Sequence, residues 1–365
     1  MRILVLVDQM AIGGAGRVAS IMLQGLIERG HKIMLVTDTS KGLLYHVPDE
    51  VDVRSFVYTA GCKGVHKRAY QFVRRIRGHR RYIKEFRPDA IVTYLPGMFT
   101  DALVANIGTG IPVIVSDHTA MSRDLGRWTN FVRHHLYGLA SCATVLTKKD
   151  YRYLGKRVRC KEVLYNPLTF APLSGNAEEG KRKKTVLCVG RVSSWDVKGF
   201  DRIIRIWGSL APIYPDWELE IAGPGEQKHF DKLASMAHEA GCSDSVKFLG
   251  NIKDIEGLYR QTSVFALPSR VEGFPMALIE AMSQGCACVS FDLDGAISEI
   301  ANDKEDCLIV PDNDITSFTK ALSRLIGSQE TRSGLASQAI KNVARYSVTK
   351  YINHWEQILN RVTKK

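Results

Sequence analysis

The sequence predicts an α/β protein of two Rossmann-like, doubly wound domains facing each other across a cleft. Three observations carry that expectation. The chain has 365 residues, enough for two domains of ~150 residues with a core each. Short β-branched runs alternate with helical stretches, which implies parallel strands with helices on both sheet faces. The alternation breaks at one polar stretch near the middle and then restarts.

The first half places strands at 3–7, 32–37, 90–94, 113–116 and 144–146, each a run of Val, Ile or Leu of strand length. An amphipathic helix over 17–29 follows the first strand and stops at Gly30. Residues 172–184 read PLSGNAEEGKRKK, polar and without apolar periodicity, and are expected to be the interdomain linker. This gives an N-terminal domain over 1–170 and a C-terminal domain over 171–365, with the last helix able to cross back to the first. The second half repeats the pattern at 185–189, 217–222, 246–249, 264–267, 287–291 and 308–310. Ligands are expected in the cleft, at the carboxyl ends of the strands.

The eight cysteines are scattered at 62, 142, 160, 188, 242, 286, 288 and 307, with no C-x-x-C pair. They read as reduced thiols in a reducing compartment, neither a disulfide framework nor a zinc site. The apolar run 3–7 is too short for a signal-peptide core, and no stretch reaches the ~18 apolar residues a membrane span needs. A cytoplasmic location is expected. The net charge of +12 is unevenly spread: residues 1–170 carry 26 Lys and Arg against 13 Asp and Glu, residues 171–365 carry 24 against 25. The first half therefore faces something acidic, whether nucleic acid, an anionic membrane or a phosphorylated substrate.

Three constellations carry chemistry. The loop Gly13-Gly14-Ala15-Gly16-Arg17 opens a helix, where backbone N–H groups can approach an anion. Gly14-x-Gly16-x-x-Ala19 with Asp38 mimics the dinucleotide fingerprint, but six residues separate Val7 from Gly14, too many for that tight turn. A phosphate- or sugar-facing loop and a plain glycine-rich turn both remain open. The second constellation runs from Gly190-Arg191 to Lys198-Gly199, straight after a strand. Two cations there suit a diphosphate, Arg by a bidentate fork and Lys as a point charge; a pair of solvated surface cations is the alternative. The third is Glu272-Gly273-Phe274-Pro275-Met276 followed by Glu280, in a turn and a helix starting near Pro275. Glu280 sits among Ile279, Ala281 and Met282, where a carboxylate is costly unless it accepts hydrogen bonds. Sugar or ribose hydroxyls and a structural ion pair can both provide them.

The block E-G-F-P-M-A-L-I-E, with Glu272 and Glu280 eight positions apart, resembles the signature of the retaining glycosyltransferases of family 4 (glycosyl transferases group 1). Further blocks follow the same order: Gly13-Gly14, Ser116-Asp117-His118, Asn166-Pro167, Gly190-Arg191 to Lys198-Gly199, and Ala222-Gly223-x-Gly225. The resemblance implies the GT-B fold. It implies that Arg191 and Lys198 contact the donor diphosphate and that Glu280 holds the ribose hydroxyls. Glu272 and the main chain of Gly273, Phe274, Pro275 and Met276 would face the transferred sugar. His118 would lie by the sugar near the acceptor, and Gly13 and Gly14 would approach phosphate and sugar. The catalytic set implied is His118, Arg191, Lys198 and Glu272. Two departures stand out: Gly16 occupies a position where many relatives carry Glu, and the loop from Arg191 to Lys198 is a residue or two longer than usual. The resemblance also implies front-face substitution at the anomeric carbon with the departing diphosphate as base. The donor expected is a UDP-sugar of a hexose or N-acetylhexosamine, with no metal and no further cofactor.

Asp292-Leu293-Asp294 mimics a metal-holding D-x-D motif but is read as a solvated loop. His66, His79, His134 and His135 lie among basic residues, a poor setting for a metal. Tyr151 and Tyr153 beside Lys148, Lys149 and Arg152 lie in no recognisable RNA motif, so no nucleic-acid partner is expected. Residues 65–87 hold nine Lys and Arg against one acid, Glu85. At helical spacing Lys67, Arg74, Arg77, Arg81 and Lys84 share a face with Tyr70, and Ala69, Phe72, Val73, Ile76 and Ile83 fall on the other, although Gly78 weakens the helix. The stripe suits an anionic membrane surface or the diphosphate of a lipid-linked saccharide; a solvated face over the first sheet is the alternative. A peripheral protein on the inner face of the cytoplasmic membrane, using a lipid-linked or lipopolysaccharide-type acceptor, is the expectation. A nucleotide-sugar epimerase and a nucleic-acid or membrane-surface binding module are the competing classes.

Overall fold

The computed structural model describes residues 1–10, 13–40, 42–56, 64–174 and 182–364. It divides into one unit of Met1–Thr169 with Val348–Lys365 and another of Phe170–Ser347.

In the first unit the order is β1 (Arg2–Leu6), α1 (Gly14–Glu28), β2 (Lys32–Thr37), β3 (Asp52–Ser55), α2 (Val65–Phe86), β4 (Ala90–Tyr94), α3 (Leu95–Ala105), β5 (Val113–Ser116), α4 (Arg127–Phe131), β6 (Cys142–Val145), α5 (Lys148–Leu154) and β7 (Lys161–Val163). The strands form a parallel sheet in the order β3-β2-β1-β4-β5-β6-β7. Ile3–Leu6 and all of β4 are buried, as parallel strands covered on both faces require, and so read as unbroken apolar runs. The chain winds outward from β1 to β3 and then from β4 to β7. Between β1 and β4 the strand order reverses, and that is where such a sheet opens a crevice at its carboxyl edge.

The second unit comprises β8 (Lys183–Val189), α6 (Phe200–Leu210), β9 (Glu218–Ala222), α7 (Gln227–Glu239), β10 (Val246–Gly250), α8 (Ile255–Gln261), β11 (Thr262–Leu267), α9 (Met276–Ser283), β12 (Ala287–Asp292), β13 (Leu308–Pro311), α10 (Ile315–Gly327) and α11 (Gln329–Val343). Its parallel sheet runs β10-β9-β8-β11-β12-β13, with the reversal between β8 and β11. The last helix, α12 (Val348–Thr363), packs on α1 of the first unit. Gly25 makes this possible, since a Cβ there would sit 2.4 Å from Cγ1 of Ile352. Arg29 pairs with Glu356 at 2.6 Å.

The structure corrects three expectations. The polar stretch 172–184 does not run free to Lys184, because Lys183 and Lys184 open β8. The Arg182 guanidinium donates to the carbonyls of Tyr259, Thr262 and Gln284 at 3.1, 2.7 and 2.6 Å. The Leu173 N–H donates to the Ser283 carbonyl at 2.8 Å. Both ends are thus fastened to the second unit through main-chain groups that composition does not reveal; residues 175–181 lie outside the described residues. The edge strands β3 and β7 went unread because DVRS and KEV carry no apolar alternation. Finally, α2 runs unbroken through Gly78, with Ile83 buried but Ala69 and Val73 exposed, so its apolar face is narrower than expected. The seven cysteines among the described residues are free. None of the described helices is long and apolar enough to cross a membrane.

Candidate functional site

In the second unit the chain leaves β8 at Gly190, whose N–H donates to the Ala222 carbonyl at 2.9 Å. Arg191, exposed at the surface, opens a 3-10 turn over Val192–Ser194. Two glycines let the backbone pass here. Gly223 has φ 146°, and a Cβ would fall 1.8 Å from the Gly190 carbonyl oxygen. Gly199 has φ 68°, and a Cβ would fall 1.9 Å from the Pro268 oxygen. The stem of Lys198 lies against Gly190, and its ammonium pairs with Glu272 Oε1 at 2.7 Å. The Ser269 hydroxyl donates to that same oxygen at 2.7 Å. The lengthened loop therefore still delivers Lys198 to the turn after β11, beside the Arg191 strand end.

Glu280 is buried on α9 and accepts from the Tyr259 hydroxyl at 3.3 Å. Pro275 caps α9 and has no N–H, while the Met276 N–H turns back to the Phe274 carbonyl at 2.9 Å. Of the four residues expected to offer amides, these two are the less available. The Phe274 ring packs edge-on against Tyr346 at 5.6 Å, so its side chain belongs to the core.

In the first unit Gly13, with φ 150°, caps α1, and Gly14 is its first residue. The Gly13 N–H lies 3.1 Å from the Tyr45 hydroxyl, so the amide expected to await an anion already has a partner. Asp38 does not stand as a free ribose acid. It accepts from Gln9 Nε2 at 3.2 Å and from the Ser40 N–H at 2.9 Å, closing the turn after β2.

His118 follows β5, its ring stacked on Tyr94 at 4.7 Å and 8°. Nε2 lies 3.0 Å from the Ser116 hydroxyl, which accepts from Thr144 Oγ1 at 2.7 Å. Among the described residues Nδ1 meets no hydrogen-bond partner, and neither does Oδ1 of Asn166. The residue as a whole is partly exposed, yet burial of the imidazole pushes its pKa down to about 4, against opposing effects of Asp117 and Asn166. The imidazole is neutral at physiological pH. Beneath it, Asp117 accepts from Arg133 Nε at 2.9 Å, Arg133 Nη2 at 3.1 Å and the Tyr137 hydroxyl at 2.8 Å. A buried carboxylate so satisfied is a stable anchor for the loop that presents His118.

Residues 12–169 match the family described as Glycosyltransferase Family 4, and residues 173–342 match Glycosyl transferases group 1. The chain belongs to the family 4 glycosyltransferases. It is 27% identical to the amylovoran biosynthesis glycosyltransferase AmsD of Erwinia amylovora, over 98% of this chain and 99% of that one. It is 23% identical, over 99% of each chain, to an alpha-1,4-N-acetyl-D-galactosaminyltransferase of Campylobacter jejuni, whose name gives its acceptor as GalNAc-alpha-(1->4)-GalNAc-alpha-(1->3)-diNAcBac-PP-undecaprenol. The fold is GT-B: among solved structures, HepE of Anabaena in complex with UDP superposes with a TM-score of 0.79 at 18% identity, over 99% of this chain and 100% of that one.

Two residues of the candidate site have no role assigned from the sequence. Arg270 forms a bidentate pair with Asp201, 2.7 Å for each bond, donates its N–H to the Val197 carbonyl at 2.8 Å, and bonds the Asp196 carbonyl. It clamps the Lys198 loop to the Glu272 turn. Burial alone would raise the Asp201 pKa, but the Arg270 guanidinium holds it below the ordinary value. Ser269, buried beneath, orients Glu272. The available signal was an Arg two residues before the Glu272-Gly273 pair and an Asp in the first turn of α6.

On α2 the basic residues divide. Arg74, Arg77, Arg81 and Lys84 are exposed together with Tyr70, as the helical spacing predicts; the side chain of Lys67 lies outside the described residues. Arg75 instead pairs with buried Asp101 at 2.8 Å, and Arg80 donates to the Ala105 and Ile107 carbonyls at 3.1 and 2.9 Å, closing the end of α3. Asp292 accepts from the Ser298 N–H and hydroxyl at 3.2 and 2.9 Å, which is turn closure and not solvation; the Asp294 side chain is outside the described residues. Among the described residues no three His, Cys, Asp or Glu gather as a metal would require.

Proposed function

We propose that this glycosyltransferase moves a hexose or N-acetylhexosamine, with retention and without a metal, from a UDP-sugar to a lipid-linked saccharide or lipopolysaccharide-type acceptor. The observation that carries the reading is the Lys198–Glu272 pair at 2.7 Å, set at the carboxyl edge of the second sheet beside Arg191. Arg191 and Lys198 supply two cations for a diphosphate, and Glu272 a carboxylate for sugar hydroxyls. Glu280, buried on α9 and bonded to Tyr259, supplies a second carboxylate, for ribose hydroxyls. UDP bound to a protein of the same fold supports the choice of nucleotide, and the undecaprenol-linked acceptor named for the Campylobacter relative supports the choice of acceptor.

In the reaction an acceptor hydroxyl forms its bond to the anomeric carbon on the face the diphosphate leaves. The anomeric C–O bond to the diphosphate breaks, and the hydroxyl proton passes to a departing phosphate oxygen. Arg191 and Lys198 stabilise the charge growing on that oxygen, so no metal is needed. His118, neutral and rigidly stacked, is suited to a hydrogen bond with a sugar hydroxyl and not to neutralising an anion. The outer α2 face meets phosphate, either of anionic lipid head groups or of a polyprenyl diphosphate, and holds the enzyme peripherally on the inner face of the cytoplasmic membrane. Calorimetry with UDP, ADP and GDP, followed by hydrolysis of a panel of nucleotide sugars, tests the reading. UDP should bind best, and Glu280→Ala should weaken UDP by roughly 1–3 kcal/mol, whereas Glu272→Ala should spare UDP binding and slow turnover. Equal UDP losses in both variants, or preference for another nucleotide, would contradict it.

A further inference from the structure

The helical segment from α4 through Leu139 turns an apolar stripe outward. Trp128, Phe131 and Leu139 are 60%, 46% and 65% exposed, with exposed His135 between the last two. The spacings of three, four and four residues put them on one helical side, and their inward neighbours Val132 and Tyr137 are fully buried. The stripe is continuous where rings meet: Trp128 stacks on Phe131 at 5.6 Å, and Phe131 meets His135 at 4.7 Å with the rings tilted by 36°. His134 extends it to α5 through the exposed Tyr153, whose hydroxyl is 3.1 Å from Nε2, and Arg157 lies 2.9 Å from Nδ1.

Its surroundings are strongly cationic. Residues 121–160 hold nine Lys and Arg and two acids. Both acids are committed internally: Asp124 accepts from the Gly126 N–H and from Asn130, each at 2.8 Å, while Asp150 is buried on the Met121 N–H and Thr147. Arg123, Arg127, Arg152, Lys156 and Arg157 of the same stretch are exposed, and Arg157 reaches the His134 ring. The α3 helix packs against both α2 and the π-helical segment Val132–Leu136, so the stripe and the α2 cations belong to one helical layer.

We propose that Trp128 and Phe131 insert into the head-group region of an anionic bilayer and give the enzyme a salt-resistant anchor separate from the α2 stripe. The inference rests on the membrane-borne acceptor of the proposed function. Tryptophan with flanking Arg and Lys is the chemistry that settles at the boundary between head groups and acyl chains. A wholly electrostatic contact fades as salt shortens the Debye length, but buried aromatic area does not. RNA would be served by the cations and leaves the outward Trp–Phe–Leu stripe without a purpose.

The test compares wild type, a Trp128→Ser/Phe131→Ser double variant and an Arg74→Glu/Arg77→Glu/Arg81→Glu variant. Binding is measured to vesicles of phosphatidylcholine with phosphatidylglycerol, at low and high salt, some carrying brominated acyl chains to quench tryptophan. Thermal unfolding confirms that the variants fold. Wild type should keep binding at high salt, with bromine quenching part of its emission. The aromatic variant should bind at least about tenfold more weakly at high salt, lose that quenched fraction and bind UDP as wild type does. The α2 variant should lose low-salt affinity yet keep the quenched fraction once bound. High-salt binding unchanged in the aromatic variant, or displacement of wild type from vesicles by RNA of mixed sequence, overturns the proposal. If stripe-dependent binding appears but no UDP binds, the donor reading falls and this inference stands.

Discussion

At the level of single residues, Lys198 is held by one neighbour and aimed by another. Its ammonium meets Glu272, and the loop behind it is clamped by Arg270 to Asp201 and to the Asp196 and Val197 carbonyls. Arg191→Ala or Lys198→Ala should lower kcat by ~10²–10³-fold, because each cation meets charge that grows as the bond breaks. Arg270→Ala should reproduce part of the Lys198→Ala loss, and the Lys198→Ala/Arg270→Ala double variant should be little worse than Lys198→Ala alone. Independent, multiplying losses in kcat would show that Arg270 does not act through Lys198. His118 gives a second residue-level test. Its folded pKa of about 4 lies below the ordinary 6.5, so between those values the unfolded chain binds a proton the folded chain refuses. Stability from this group is complete above ~6.5 and drains away as pH falls toward ~4. The Tm of wild type should therefore fall more between pH 7 and 4.5 than that of His118→Asn. Asp150, Glu220 and Asp306, whose carboxyls burial pushes up, act in the opposite sense and cancel in that comparison. Arg191, Lys198, Glu272 and Glu280 stood out as candidates by residue type and position, whereas His118 entered only through the family resemblance. Arg270 and Ser269 did not stand out, because they work through partners rather than on a ligand, and the pairing of Arg270 with Asp201 spans 69 positions.

Among the elements, legibility followed burial. The strands at 32–37, 90–94 and 113–116 were read with the bounds the structure gives them, since a strand covered on both faces must be apolar throughout. The edge strands β3 and β7 face solvent, carry charge and hide among loop residues. Glycine illustrates how the same letter means different things. Gly199 sits at φ 68° before α6, and any Cβ would fall 1.9 Å from a backbone oxygen that cannot swing away. Gly199→Ala should cost at least roughly 1–3 kcal/mol in strain and lower both Tm and UDP affinity, since Lys198 is the adjacent residue. Gly78 lies inside α2 with no atom within 4 Å of a built Cβ. Gly78→Ala should instead raise stability by ~0.5–1 kcal/mol through helix propensity. Chemical denaturation of the two variants decides this, and a stabilising Gly199→Ala would mean that the Lys198 loop can be rebuilt.

On the scale of the whole molecule, charge divides by unit more sharply than by sequence half. Residues 348–365 join the first unit and bring four more cations and one acid, leaving the second unit with more acids than bases. Parallel topology and the polar break near residue 175 were enough to expect two units, with the last helix able to cross back to the first, and α12 does return to the first unit. That return depends on Gly25 admitting Ile352 and on Arg29 meeting Glu356, contacts between distant letters that no local pattern announces. The division predicts two ionic-strength responses in one protein. On the proposed reading a nucleotide is held by Arg191, Lys198 and their neighbours, a few close contacts, and UDP affinity should change less than about tenfold when salt rises from 50 to 500 mM. Binding to anionic vesicles draws on the exposed cations of α2, each contributing ~1 kcal/mol near the surface at low salt, and should weaken far more steeply. Arg74→Glu/Arg77→Glu/Arg81→Glu should flatten the second response and leave the first unchanged. UDP binding and donor hydrolysis should also persist in excess EDTA, because side chains carry the countercharge. Activity lost to EDTA and restored by Mn²⁺ or Mg²⁺ would return the diphosphate to a metal. Parallel salt slopes for nucleotide and vesicles would show that the two units share one electrostatic surface instead of dividing the work.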